Sequence, residues 1–251
     1  NYIGVSKDRV NAWVAGINHL AWFLRFEVDG TDAYPQLFKA MQDPEILSQD
    51  TVRFEVMKQF GYFVTESTRH MSEYTPYFRT NRQTIEDFSL NQIRQDLQRR
   101  TARVDDHYAD LIEDANTDRV LAAERSEEYA CRIIEAMESD RSVVINGNVP
   151  NEGFIDNLLD LSSVEVPILI DKLGFHPMAV GELPAQLAAL SRSNQAVQQM
   201  TVNAIIDGDR EAAFHAVALD PLTSAVLSLS EIRDMFDEMW SLHGAELAAY
   251  S

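Results

Sequence analysis

Residues 16–29 are dense in aromatic and branched side chains, carry charge at the alternate positions Arg25 and Glu27, and close at Asp29-Gly30. That pattern predicts a strand. Over 32–42 and 49–60 the apolar spacing turns helical, with Pro35 tolerable in a first turn and Gly61 suited to end the second helix. Residues 62–82 mix aromatics, hydroxyls, Arg69, His70 and Pro76 without a sustained period, as irregular functional loops do. The Ala-, Leu-, Glu- and Arg-rich stretch 101–139 predicts a long solvated helix or helix pair. A short strand is expected at 143–146, ending at Gly147, and another at 163–170, where Pro167 favours an edge position because it has no donor for a ladder. After Gly181-Glu182-Leu183-Pro184 the chain reads helical to about Ile206, again over 209–218, and over 229–244 with Ser230 as N-cap. No repeat, low-complexity tract or linker interrupts it, so the pattern predicts one helix-rich α+β domain.

The chain has 251 residues, 45% hydrophobic and 24% charged, enough for a core without disulfide or metal staples. Its 21 basic and 40 acidic residues leave a net charge of −19, which disfavours nucleic acid and anionic lipid as partners. The longest stretch without charge, residues 10–24, falls short of the roughly 20 apolar residues that span a bilayer. Residues 1–9 lack a secretory pattern, and Asn1 in place of Met suggests an interior or processed point of a longer product. Cys131 is the only cysteine, which excludes an internal disulfide and a Cys-rich zinc site and makes a cytoplasmic location and a core position the expectation for it. There is no G-x-G and no H-E-x-x-H. The dinucleotide fingerprint, the phosphate loop and the nucleophile elbow are therefore absent, and any nucleotide must sit mainly on residues outside this sequence.

Three constellations carry candidate chemistry. His19 stands in Gly16-Ile17-Asn18-His19-Leu20-Ala21-Trp22 at the head of the expected strand. Neutral imidazole ligates borderline divalent metals, and Asn18 can bind a sugar hydroxyl, although a lone His beside aromatics is more often a hydrogen-bonded core residue. Residues 62–78 gather Glu66, Arg69, His70, Glu73 and Tyr74. Arg holds carboxylates or sugar oxygens in a fixed fork, and Glu or Tyr can act as general base; a capped helix start bearing surface polars is the competing reading. Asn146-Gly147-Asn148 is first of all turn chemistry, with sugar binding by its amides the alternative.

In order along the chain stand G-I-N-H-x-A-W at 16–22, T-E-S-x-x-H-x-S-E-Y-x-P-Y-F at 65–78, N-G-N-V-x-N at 146–151, V-E-V-P at 164–167, G-E-L-P at 181–184 and D-P-L-T at 220–223. Together they resemble glycoside hydrolase family 4, the NAD- and divalent-metal-dependent glycosidases, in the branch of α-galactosidases, α-glucosidases and α-galacturonidases. The resemblance implies that residues 1–251 form the single C-terminal catalytic, metal- and substrate-binding domain of a two-domain enzyme behind a Rossmann domain. Its fold would be like the C-terminal domain of lactate and malate dehydrogenases, helix-rich α+β with a small, mainly antiparallel sheet. The implied cofactors are NAD and Mn2+ or another divalent ion, and the partners a small carbohydrate and further copies in a homodimer or homotetramer. His19 becomes the metal ligand, beside a cysteine that precedes this sequence and is not Cys131. Glu66 becomes the base, with Tyr74 second; Arg69 and His70 contact substrate or anionic groups; Asn18 and Asn148 bind hydroxyls; Glu165 and Pro167 are structural. Leu159 departs from the family's usual proline. The implied route oxidises the sugar at C3, removes the acidified C2 proton, eliminates the C1 substituent, adds water and returns the hydride. A 2-hydroxy-acid dehydrogenase catalytic domain and a non-catalytic acidic interaction domain are the rival readings.

Overall fold

The chain doubles back at Asn18-His19. In this computed structural model, which describes residues 2–92, 103–104, 107–113, 115–117 and 128–247, β1 (Val10–Ile17) and β2 (Leu20–Val28) pair antiparallel from Ile17↔Leu20 to Val10↔Val28. The single strand expected over 16–29 is thus corrected to the end of one strand, a two-residue turn and a second strand. The last four residues of β1 are buried, and a strand covered on both faces shows no alternation by which to recognise it. His19 takes φ 66°, a left-handed position that His, Asn and Asp enter more readily than most.

A two-residue β3 (Thr31–Asp32) pairs with β2, and α1 (Tyr34–Ala40), α2 (Pro44–Leu47) and α3 (Thr51–Phe60) follow, with Pro35 in the first turn of α1 and Gly61 ending α3 at φ 83°. The irregular stretch contains α4 (Thr68–Glu73) and, past its end, α5 (Arg82–Asp87). Part of the helical reading of 101–139 lies outside the described residues; within it 107–113 is helical and exposed, and α6 is Ala130–Glu138. Cys131 is exposed, not core. It lies five residues from Ala136, the buried residue of α6, and so roughly 140° round the helix.

β4 (Val143–Pro150), β5 (Ser163–Asp171) and β6 (Gly174–Pro177) complete an antiparallel sheet in the order β3-β2-β1-β5-β4, with β6 also on β5. Two expectations fail here. Asn146-Gly147-Asn148 is not a turn but the middle of β4, where Gly147 makes room for Ile168, whose Cδ1 would stand 2.8 Å from a Cβ. Pro167 is not at an edge, since β5 has β4 on one side and β1 and β6 on the other. The Pro167 carbonyl accepts from Met178 N at 2.9 Å, so its missing donor points to that second side, between the Gly16↔Glu165 pair with β1 and the ladder with β6 that begins at Ile168. A proline costs least at such a gap.

The C-terminal helices are α7 (Ala185–Asp207), α8 (Arg210–Leu219), α9 (Pro221–Val226) and α10 (Leu229–Leu242). The cap of α10 is Ser228, not Ser230: its hydroxyl accepts from Glu231 N while Glu231 reaches back to Ser228 N at 2.8 Å, a reciprocal box that Ser230 has no acidic partner three residues on to form. Alternate residues of the sheet, among them Ile17, Trp22, Val166 and Ile168, pack with Val52 and Val56 of α3 and Leu187 of α7. Smaller clusters surround Phe54 and Phe214. Among the described residues no helix is long and apolar enough to cross a membrane.

Tyr34 ties the sheet to the segment after α3, donating to the Phe23 carbonyl and accepting from Phe63 N. Burial pushes its phenol up to about 12 from 10.0. The folded value exceeds the unfolded one, so this stabilisation is complete below pH 10 and disappears as pH climbs towards 12. Tyr34→Phe leaves Phe63 N unpaired and is expected to lose about 1–3 kcal/mol near neutrality. Urea unfolding should also show a shallower alkaline decline for the variant.

Candidate metal and sugar site

The site is assembled by the hairpin turn and by the segment that follows α3. Phe23 N donates to Phe63 O at 3.0 Å and Thr65 N to Ala21 O at 2.9 Å, so residues 63–65 run beside β2 and deliver Glu66 level with His19. Arg53 fastens the segment from α3, its Nη2 donating to Val64 O at 2.9 Å while Nη1 pairs with Asp50 at 3.1 Å. Ser67 then caps α4, its side chain accepting from His70 N. His70 and Tyr74, four residues apart, consequently share one face of that short helix.

These groups converge. His19 Nδ1 lies 2.5 Å from Glu66 Oε2; the His19 ring stacks on His70 with centroids 4.5 Å apart and stands 5.2 Å from Tyr74. His19, Glu66 and His70 offer donor atoms that all lie within 4.8 Å of one another. Across the sheet, the register Ala21–Gly16–Glu165–Asn148 sets Glu165 beside the turn and the exposed Asn148 one strand further out. Asn18 is exposed in the turn itself. Arg69 is held by Glu73 at 3.2 Å, and the same carboxylate takes Arg79 at 3.5 Å and faces His70 Nδ1 at 3.3 Å. The guanidinium expected to meet substrate is therefore already paired.

Proton affinities in the cluster diverge for readable reasons. Burial pushes the Glu66 carboxyl up, but the Ser67 amide and His19 outweigh it and hold the group below the usual range. Burial, then Glu73 and Glu66, push the Tyr74 phenol up. Burial and the neighbouring Glu66 raise Glu165, with His19 opposing. Sequence reasoning left Glu165 with the scaffold and gave Glu73 no role; a lone acid inside the apolar run of V-E-V-P was the available signal for the first. Asn151, by contrast, is scaffold: 1% exposed, its side chain accepts from Phe154 and Ile155 amides and donates to the Ile155 carbonyl.

Two imidazoles and a carboxylate suit a borderline divalent ion, and a phenol and carboxylates of unlike proton affinity suit proton transfer. In class, then, this is an α+β domain whose open sheet end carries a metal-competent acid–base cluster. The chain belongs to glycoside hydrolase family 4, residues 14–223 matching the family 4 glycosyl hydrolase C-terminal domain. It is 42% identical to an α-galactosidase of Bacillus subtilis (strain 168) over 250 residues, covering 99% of this chain and 58% of the relative. An α-galactosidase of Rhizobium meliloti (strain 1021) is 32% identical, over 94% of this chain and 50% of the relative. The chain thus spans about half the length of these curated relatives. A solved 6-phospho-α-glucosidase from gut microorganisms, in complex with NAD and Mn2+, superposes with a TM-score of 0.72 at 20% identity, over 97% of this chain and 57% of that one. At that identity the likeness is one of fold, and it bears out the helix-rich α+β architecture with a small antiparallel sheet.

Proposed function

We propose that this chain forms the metal- and sugar-binding domain of a two-domain glycosidase acting on an α-galactoside, α-glucoside or α-galacturonide, with NAD and Mn2+ or another divalent ion as cofactors. A cytoplasmic homodimer or homotetramer is part of the same reading. The observation that carries it is the convergence of His19, Glu66 and His70 donor atoms within 4.8 Å beside Tyr74. The donor set fits a divalent ion, with His19 as the proposed ligand. No residue of this chain is assigned to NAD.

When bound, NAD supplies reversible hydride acceptance at a sugar carbon and the metal supplies Lewis acidity towards the carbonyl so formed. Glu66, kept ionised by Ser67 and His19, accepts the proton at C2 of the sugar. Tyr74 is the second candidate base; with its phenol raised by burial and by Glu73 and Glu66, it is protonated near neutrality and suited to return a proton. Asn18 and Asn148 bind hydroxyls, and His70 and Arg69 line the substrate, Arg69 with its charge offset by Glu73.

The test is an assay of the whole gene product, loaded with NAD and Mn2+, on aryl α-galactoside, α-glucoside and α-galacturonide in deuterium oxide. At least one should be cleaved, with deuterium at C2 of the released sugar. Glu66→Gln should slow cleavage by about 10²–10⁴-fold. Normal turnover and exchange in that variant would remove the base assignment, and cleavage of none of the three would end the glycosidase reading.

A further inference from the structure

We propose that Glu66 is also a positioning residue for His19, taking the Nδ1 hydrogen of its ring so that Nε2 is the atom offered to a cation. This rests on the reading of His19 as a metal ligand. A neutral imidazole has one N–H and one lone pair, and the hydrogen bond at one nitrogen decides which nitrogen is bare. An ionised carboxylate only accepts, so the 2.5 Å contact between Glu66 Oε2 and His19 Nδ1 requires the hydrogen on Nδ1. Among the described residues nothing hydrogen-bonds to Nε2 of His19.

The carboxylate is itself anchored. Glu66 Oε1 accepts from Ser67 N at 2.8 Å, and Ser67 is the cap of α4. The other end of the pair is equally constrained, because His19 occupies the left-handed position of a turn that closes over Gly16. His70 stacks on the ring at an interplanar angle of 25°, covering its face and leaving its edge. Outer carboxylates of this kind raise ligand basicity and fix ring orientation, and their loss typically weakens metal binding by about 10–100-fold. Direct ligation by Glu66 would require the carboxylate to leave its bond to Nδ1.

The whole gene product, metal-free and with isotope-labelled histidine, is studied by long-range proton–nitrogen NMR, with His19→Gln identifying the ring. Wild type should show hydrogen on Nδ1, and Glu66→Ala should revert to the Nε2-protonated form that competes with a cation. Calorimetric titration with Mn2+ should show about 10–100-fold weaker binding in Glu66→Ala and a smaller loss in Glu66→Gln, whose amide oxygen still accepts from Nδ1. Hydrogen on Nε2 in wild type, unchanged Mn2+ affinity in Glu66→Ala, or equal losses in the Ala and Gln variants would overturn the proposal. Undiminished Mn2+ binding in His19→Gln would instead overturn the ligand reading beneath it. The wild-type spectrum and the near-isosteric Gln variant keep the test decisive even where the Ala variant folds poorly.

Discussion

On the proposed reading, His19→Ala should lower metal-dependent glycoside cleavage by the whole gene product by about a thousandfold or more. A Lewis acid contributes several kcal/mol to a charged transition state, and about 4 kcal/mol is a factor near a thousand. The loss should deepen at limiting Mn2+, because the change removes the proposed ligand. His19 also occupies a left-handed turn position at φ 66°, so alanine perturbs the backbone as well. His19→Asn serves as the control: asparagine accepts that conformation, the hairpin should persist, and turnover should still collapse. Rates across a Mn2+ series, with urea unfolding of both variants, make the comparison; an active His19→Asn enzyme with unchanged Mn2+ dependence would remove His19 from the chemistry.

Gly16→Ala should be severely damaging to the fold. A Cβ there would stand 2.2 Å from the Leu20 carbonyl oxygen and 2.7 Å from Ala21 Cα, both backbone atoms that no side-chain rotation can move. Relief requires the hairpin to open where it also meets β5, through Gly16↔Glu165. A loss of about 4 kcal/mol or more is expected, beyond the ordinary range for point changes, and His19, three residues on, should lose its approach to Glu66. Denaturant unfolding measures the first effect and Mn2+ titration the second. Gly147→Ala is the useful contrast, since its obstacle is the end of the Ile168 side chain, which can turn aside. Equal tolerance of both substitutions would refute the account of the turn.

The elements legible in sequence were those with local causes. α3 ends at a glycine in the left-handed region, and α7 and α8 follow their apolar spacing to within a residue or two. β1 escaped because its buried half carries no alternation, and Asn146-Gly147-Asn148 was mistaken for a turn because the reason for Gly147 is Ile168, on another strand. The site divided along the same line. His19, Glu66, His70 and Tyr74 were nominated from residue type and motif order, and they do meet. Glu165 was left with the scaffold because only the Gly16↔Glu165 pairing brings it beside the turn. Arg69 was nominated for substrate without sight of Glu73 one helical turn away, although both stand in the sequence four residues apart.

By itself, then, the amino-acid sequence determined the helix-rich α+β class, the acidic character, the absence of a dinucleotide loop and the identity of the groups able to do chemistry. Each of these depends on composition or on residues within a turn or two of one another. Tertiary structure alone decided that Pro167 is tolerated in a central strand, that Cys131 faces solvent, and that two imidazoles, a phenol and two carboxylates share one end of the sheet. Strand pairing and burial are contacts between distant segments, and which partner lies across a strand is written in no local pattern.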